Sequence, residues 1–337
     1  MQRLQRILII KPSSLGDVAT ALPLLCDLHR AFPHAQIDWL VHPAFADLLR
    51  GHQALHEIIL FDRQALANWY WRPRAMRQFQ GLIENLRKRH YQCVIDAQGL
   101  MRSAAIARAT GAEMRIGPSD AREGAATLYT HQVVSPRSTD LAVRRMRALA
   151  EPLKIPPGPA EFLVPVQPAA KQWADEVLGV TAPVALIPGA RWENKRWPTK
   201  KFGFIARKLL AARQRVVLLG APAEADACGA IAHGLDGVLN LGGQTSLAEM
   251  AAVLARARAV VSNDTGPLHV AVALGRPVVG IYGPTNPASV GPFGQLDHVV
   301  RFDPPLAGAS GGNVPGACTK PLDVERVWNM LRQVANF

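Results

Sequence analysis

Residues 259–287, A-V-V-S-N-D-T-G-P-L-H-V-A-V-A-L-G-R-P-V-V-G-I-Y-G-P-T-N-P, allow few local structures. Ala259, Val260 and Val261 form a short apolar run that stops at Ser262-Asn263-Asp264, residue types whose side chains bond nearby backbone and favour helix caps. Leu268, Val270, Ala271 and Leu274 then return at helical spacing, and Gly275 before Arg276-Pro277 stops the helix ahead of a second apolar run, Val278 to Ile281. The unit reads as strand, polar turn, helix, strand. Its turn directs the backbone N–H groups of Thr265, Gly266 and Leu268 out of the helix start, where the positive end of the helix dipole suits a phosphate. Pro267 fits the first turn because its missing N–H would have no helical partner there. From spacing alone an ordinary capped helix and an anion site both remain open.

The same pattern opens the chain. Residues 6–10 are an apolar strand running into Lys11-Pro12-Ser13-Ser14-Leu15-Gly16-Asp17, after which Val18, Leu22, Leu25, Leu28 and Phe32 follow at helical spacing. Gly16 permits close approach of a ligand, and Asp17 fits the role of a first-turn cap. Further strands are expected at residues 36–41, 57–61 and 92–96, with a helix over 44–49. The alternation predicts an α/β fold with a parallel sheet covered on both faces. Residues 155–168 are proline-rich, unfit for helix or central strand, and read as a linker between a domain at 1–154 and a second at 169–320. In the second, strands at 184–187 and 215–219 alternate with helices at 171–178, 201–212, 223–232 and 247–255. Val324, Val327, Trp328, Leu331 and Val334 line one side of a last helix within 321–337, expected to cross back to the first domain.

A chain of 337 residues has room for two such cores. Its longest apolar runs fall well short of the ~20 residues that span a bilayer, and the N-terminus lacks a signal-peptide core, so a cytoplasmic protein is expected. Cys26, Cys93, Cys228 and Cys318 are scattered, without metal-site spacing. The net charge of +12 lies mostly in the first half and implies an acidic partner there. Between Asp62 and His90 a basic and aromatic patch holds Arg63, Trp69, Tyr70, Trp71, Arg72, Arg74 and Arg77, then Arg87, Lys88 and Arg89. A solvated helix face, a nucleic-acid surface and a membrane-interface site all compete for it; no nucleic-acid motif accompanies it, and Trp with Arg suits a headgroup layer.

D-T-G-P-L-H followed by G-R-P-V-V-G-I-Y-G-P-T-N-P resembles the donor-site signature of the lipopolysaccharide heptosyltransferases, and K-P-S-S-L-G-D resembles their amino-terminal motif. D-A-Q-G-L at 96–100 and A-R-E at 121–123 are similar to the members that add the first heptose. The segment P-G-A-R at 188–191, lacking a threonine pair, is closer to those that add the second. The resemblance implies an inverting glycosyltransferase of GT-B type, two Rossmann-like domains facing across a cleft. It implies ADP-heptose as donor, Kdo2-lipid A as acceptor, no cofactor and no metal. It further implies no nucleic acid, a monomer, and a peripheral place at the cytoplasmic face of the inner membrane. It makes Asp17 the base facing the acceptor hydroxyl, with Ser13, Ser14, Gly16, Arg63, Gln98 and Arg122 towards the acceptor. Lys195, in K-R-W-P, meets the phosphates, Glu224 the ribose, and Thr245 the adenine-facing turn. Asp264 holds sugar hydroxyls or offsets charge on the ring, Thr265, Gly266 and Leu268 offer backbone to the diphosphate, and His269 braces the loop. The alternatives are addition of the second heptose, or a catalytically silent binder of a nucleotide sugar or polyanion.

Overall fold

The computed structural model describes residues 4–62, 73–134, 141–156, 158–301 and 322–337, and the chain divides into two units, Met1–Pro165 and Val166–Phe337. The first unit holds strands β1 (Arg6–Ile10), β2 (Gln36–Val41), β3 (Glu57–Leu60), β4 (Cys93–Asp96), β5 (Met114–Pro118) and β6 (His131–Val133). Its helices are α1 (Leu15–Ala31), α2 (Pro73–Lys88), α3 (Met101–Ala109) and α4 (Ala142–Ala148). The strands form one sheet in the order β3-β2-β1-β4-β5-β6, with every neighbouring pair parallel. Ile7 sits opposite both Ile37 and Cys93. Ile7, Leu8, Ile9 and Ile10 are all fully buried, which is why β1 is an unbroken apolar run and not an alternating one.

The second unit repeats this plan with β7 (Val184–Ile187), β8 (Val216–Leu218), β9 (Val238–Asn240), β10 (Ala259–Asn263), β11 (Val278–Tyr282) and β12 (Val299–Arg301). Helices α5 (Pro168–Leu178), α6 (Thr199–Ala211), α7 (Ala225–Ala232), α8 (Leu247–Arg256), α9 (Gly266–Ala273), α10 (Pro287–Val290) and α11 (Leu322–Ala335) surround it. Its parallel order is β12-β11-β10-β7-β8-β9. Each unit is thus a doubly wound, Rossmann-like sheet.

One expectation is corrected. The helix expected over 44–49 is a 3-10 turn, Pro43–Leu48, opened by His42, whose Nδ1 accepts from the Ala44 N–H. Of the proline-rich segment expected as a linker, residues 155–165 group with the first unit. Arg147 Nη2 donates to the Gly158 carbonyl (2.6 Å), Arg30 Nη1 reaches Glu161 Oε1 (3.3 Å), and both guanidiniums converge on the buried carboxylate of Asp27. Pro168 already opens α5, at a position where a missing N–H costs nothing. In the second unit, α11 packs its apolar side into that unit's own core. Val324, Val327 and Leu331 are buried in the second unit's own core with Phe202, Leu209 and Val261, and α11 packs on α6, β10, β11 and β12.

Candidate active site

In both units the chain leaves a central strand to build one side of the sheet and later returns to build the other. Loops leaving the carboxyl ends of the two strands at that switch diverge and open a crevice, the usual ligand site of such sheets. The switch falls between β1 and β4 in the first unit and between β7 and β10 in the second.

After β1 come Lys11 to Ser14 and then α1, with Gly16 buried in its first turn. Asp17 Oδ2 accepts from the Ser14 N–H and the Ser14 hydroxyl, both at 2.8 Å. That half of the carboxylate caps the helix. Oδ1 lies 3.5 Å from Lys11 Nζ, and the lysine side chain is only 5% exposed whereas that of Asp17 is 45% exposed. A solvent-reachable carboxylate therefore rests on a sealed cation. After β4, the fully buried Asp96 accepts from the N–H groups of Gln98 (2.9 Å) and Gly99 (3.1 Å) and from the Tyr129 hydroxyl (2.7 Å). Burial pushes its pKa up, against those hydrogen bonds. The loop it shapes presents Gln98, whose Oε1 accepts from the Ser13 N–H at 3.3 Å. After β5, the Arg122 N–H donates to the Gly99 carbonyl at 3.0 Å. Lys11, Asp17, Gln98, Arg122 and Arg145 line one cavity of about 120 Å³. Of the residues expected near the acceptor, Asp17, Gln98 and Arg122 share this cavity; Ser13 and Ser14 are hydrogen-bonded to two of them. Arg63 and the Trp69 to Arg72 part of the patch lie outside the described residues.

In the second unit, β10 ends at the buried Asn263 and Asp264, and Thr265 is the N-cap of α9 with no side-chain cap bond. The N–H groups of Thr265 and Gly266 meet no acceptor among the described residues. The Leu268 N–H, expected to point outward, donates to the Thr265 carbonyl at 3.2 Å, and its side chain is fully buried. Two of the three expected amides are therefore left without an acceptor among the described residues. Lys195, at the end of a 3-10 turn after β7, is not a free cation either. Its Nζ donates to Asp264 Oδ2 at 2.6 Å, so the residues expected to serve phosphate and sugar meet each other. His269 sits half-buried in the first turn of α9.

Glu224 follows β8 and lies against the end of β7, because a Cβ on Gly189 would overlap its carboxylate. Its Oε2 accepts from the Ala221 N–H at 2.8 Å. The loop after β9 joins it, with the Gly243 N–H donating to the Gly220 carbonyl at 2.9 Å. Gly243 has φ +74°, and a Cβ there would press on Ala225 and on Pro222 backbone. Thr245 follows directly, ahead of the Ser246 cap of α8. Gly189, Glu224 and Thr245 thus belong to adjoining strand-end loops.

Asp38, His56 and Glu57 are the one group among the described residues with metal-ligand spacing. Arg89 donates to both carboxylates, and the Tyr91 hydroxyl to Asp38, so a guanidinium already neutralises them. Cys26, Cys93 and Cys228 are buried free thiols; burial pushes Cys93 up to about 12. Among the described residues no helix is long and apolar enough to cross a membrane.

Sequence reading gave no role to Lys11, Arg145 or Asn263. Lys11 stands inside a quoted motif at a strand end, which is a usable signal. Arg145 lies on a short helix whose apolar positions, Val143 and Met146, speak only for packing, and Asn263 reads only as a cap.

A glycosyltransferase family 9 (heptosyltransferase) model matches residues 79–306. The chain is 34% identical over 306 residues to lipopolysaccharide heptosyltransferase 1 of Pseudomonas aeruginosa, covering 90% of this chain and 85% of that one. It is 28% identical over 316 residues to lipopolysaccharide heptosyltransferase 2 of Escherichia coli K12, covering 88% of each. The solved E. coli heptosyltransferase WaaC with ADP-2-deoxy-2-fluoro heptose superposes with a TM-score of 0.75 at 28% identity, covering 98% of both chains. The two doubly wound units, with loops matched to a nucleotide-sugar enzyme along nearly their whole length, make this chain a member of glycosyltransferase family 9, the heptosyltransferases.

Proposed function

We propose that the protein transfers L-glycero-D-manno-heptose from ADP-heptose to the Kdo of Kdo2-lipid A, with inversion at the anomeric carbon. The observation that carries this reading is the pairing of chemistries at the two switch points: an accessible carboxylate in a cationic cavity at one, and a bare helix start beside a Lys–Asp pair at the other. The higher identity to a heptosyltransferase 1 than to a heptosyltransferase 2 supports the first-heptose acceptor.

In this mechanism the acceptor hydroxyl gives its proton to Asp17 as its oxygen bonds the anomeric carbon, and the bond from that carbon to the ADP oxygen breaks on the opposite face. General-base help of this kind is worth about 10²–10⁴-fold. Negative charge gathers on the departing diphosphate. Lys195 turns from Asp264 to meet it, joined by the Thr265 and Gly266 amides and the α9 dipole, donors already in place before charge develops. Asp264, released by the lysine, holds heptose hydroxyls. Glu224 accepts from the ribose, and the backbone around Thr245 faces the adenine. Arg122 and Gln98 orient the acceptor sugar. Lys11 keeps Asp17 in place when no acceptor is bound. The lipid acceptor sets the working location at the cytoplasmic face of the inner membrane, as a peripheral protein.

The P-G-A-R segment favours a second reading, addition of the second heptose. Incubation with ADP-heptose and either Kdo2-lipid A or the same lipid already carrying one heptose separates the two. The proposal expects one heptose added to the heptose-free acceptor. Exclusive use of the other acceptor establishes the second reading, and turnover of neither establishes a silent binder.

A further inference from the structure

We propose that Asn263 is a positioning residue for the donor diphosphate, setting where Lys195 stands relative to Asp264. The side chain is fully buried at the end of β10 and uses both ends of its carboxamide on a different loop. Its Oδ1 accepts from the Trp197 N–H at 3.0 Å, and its Nδ2 donates to the Pro188 carbonyl at 2.7 Å. Pro188 is the first residue after β7, and Trp197 stands two residues beyond Lys195.

The loop's other backbone bonds are local. The Lys195 N–H donates to the Trp192 carbonyl and the Arg196 N–H to the Glu193 carbonyl, while Arg196 Nε donates to the Ala190 carbonyl. They fix the loop's own shape. Asn263 ties that shape to β10, from whose end Asp264 projects to Lys195 Nζ. Trp197 secures the far side of the tie, itself 2% exposed and packed edge-on against Phe202 at 5.1 Å. A buried amide satisfied at both ends is held firmly, because loss of either partner strands a polar group in the interior. Asn263 thus touches no phosphate, yet fixes the separation between the lysine and the helix start that would share one.

The inference rests on the assignment of Lys195 to the donor diphosphate, and the test separates the two. ADP affinity is measured by calorimetry for the full-length protein, Lys195→Ala, Asn263→Ala and the double variant, with thermal melting recorded without ADP. Asn263→Ala should weaken ADP binding about fivefold or more in the parent and less than about twofold in the Lys195→Ala background, since residues acting through one another are not additive. Asn263→Asp keeps the acceptor for Trp197 but faces the Pro188 carbonyl with oxygen; it should show the same non-additivity, and it carries the test if the alanine variant does not fold. Equal weakening in both backgrounds, or none in the parent, overturns the positioning role while leaving Lys195 in the donor site. Unchanged ADP affinity in Lys195→Ala overturns both assignments. Loss of the folded state in both Asn263 variants makes it a residue of the fold alone and also overturns the proposal.

Discussion

Gly189→Ala is a substitution of one methyl group whose effect can be followed to the ligand. A Cβ on residue 189 occupies the space now taken by the Glu224 carboxylate, and the remaining backbone of Gly189 is outside the left-handed region, so the conflict is purely steric. The carboxylate is the far end of a flexible side chain and gives way before β7 does. Its displacement breaks the bond that Glu224 Oε2 accepts from the Ala221 N–H, which is exposed, so that water replaces the lost acceptor and the cost is only about 1 kcal/mol. The fold survives that. The ribose contact proposed for Glu224 would not: a hydrogen bond to a charged group is worth roughly 1.5–3 kcal/mol, so ADP should bind roughly 10- to 150-fold more weakly. Calorimetry with ADP and with 2′,3′-dideoxy-ADP reads the effect separately from general damage. The dideoxy nucleotide, having no hydroxyls for Glu224, should bind parent and variant alike. Equal weakening of both nucleotides, or unchanged ADP affinity, would refute the reasoning that Gly189 exists to leave room for a ribose-binding carboxylate.

Asp17→Ala should lower turnover at least about 100-fold while ADP-heptose binding stays at the parent value, measured by product formation and calorimetry; wild-type turnover removes Asp17 as base. His52 is buried, and desolvation, then the nearby His29, lower its pKa from 6.5 to about 4. Because the folded value lies below the unfolded one, its contribution of at most ~3 kcal/mol is complete above pH 6.5 and lost as pH falls towards 4. His52→Gln should therefore lose less stability than the parent between pH 7 and 4.5 in urea titrations, and parallel curves would count against it. Arg89→Met leaves Asp38, whose side chain is 5% exposed, without its guanidinium and should cost about 3 kcal/mol in urea unfolding. Those residues border the amino-terminal ends of β3 and β4, away from the switch-point loops, so turnover of the folded variant should match the parent; a turnover loss would give the cluster a functional part.

Local structure was legible where burial on both faces leaves a continuous apolar run. β1 and β7 begin and end where their sequences predict, because every residue after Arg6 in one, and all four in the other, is buried. The unpredicted strands lack that signature. β5 reads M-R-I-G-P with Arg115 half-exposed, β6 reads H-Q-V with His131 and Gln132 exposed, β9 reads V-L-N without one fully buried position, and β12 reads V-V-R with only Val300 buried. Periodicity has nothing to report there. At Asp17 the sequence left cap and base open, and the structure makes them compatible: one oxygen caps α1 while the other faces Lys11. The two readings were never exclusive.

What the chain could not disclose from spacing is which strand ends become neighbours. Lys195 and Asp264 are 69 positions apart and in contact only because β7 and β10 adjoin in the sheet. Glu224 lies over Gly189 because β8 flanks β7 on the other side. Strand order therefore turns a scatter of motifs into two clusters: loops after β1, β4 and β5 gather Asp17, Gln98 and Arg122 round one cavity, and loops after β7 to β10 gather the residues proposed to hold the donor. It also explains why Lys11 and Lys195 are both found beside carboxylates. A crevice proposed to take a polyanion needs its lysines close at hand. Pairing each with the acid that acts beside it, Lys11 with Asp17 and Lys195 with Asp264, lowers the cost of burying that charge until substrate arrives to compete for it.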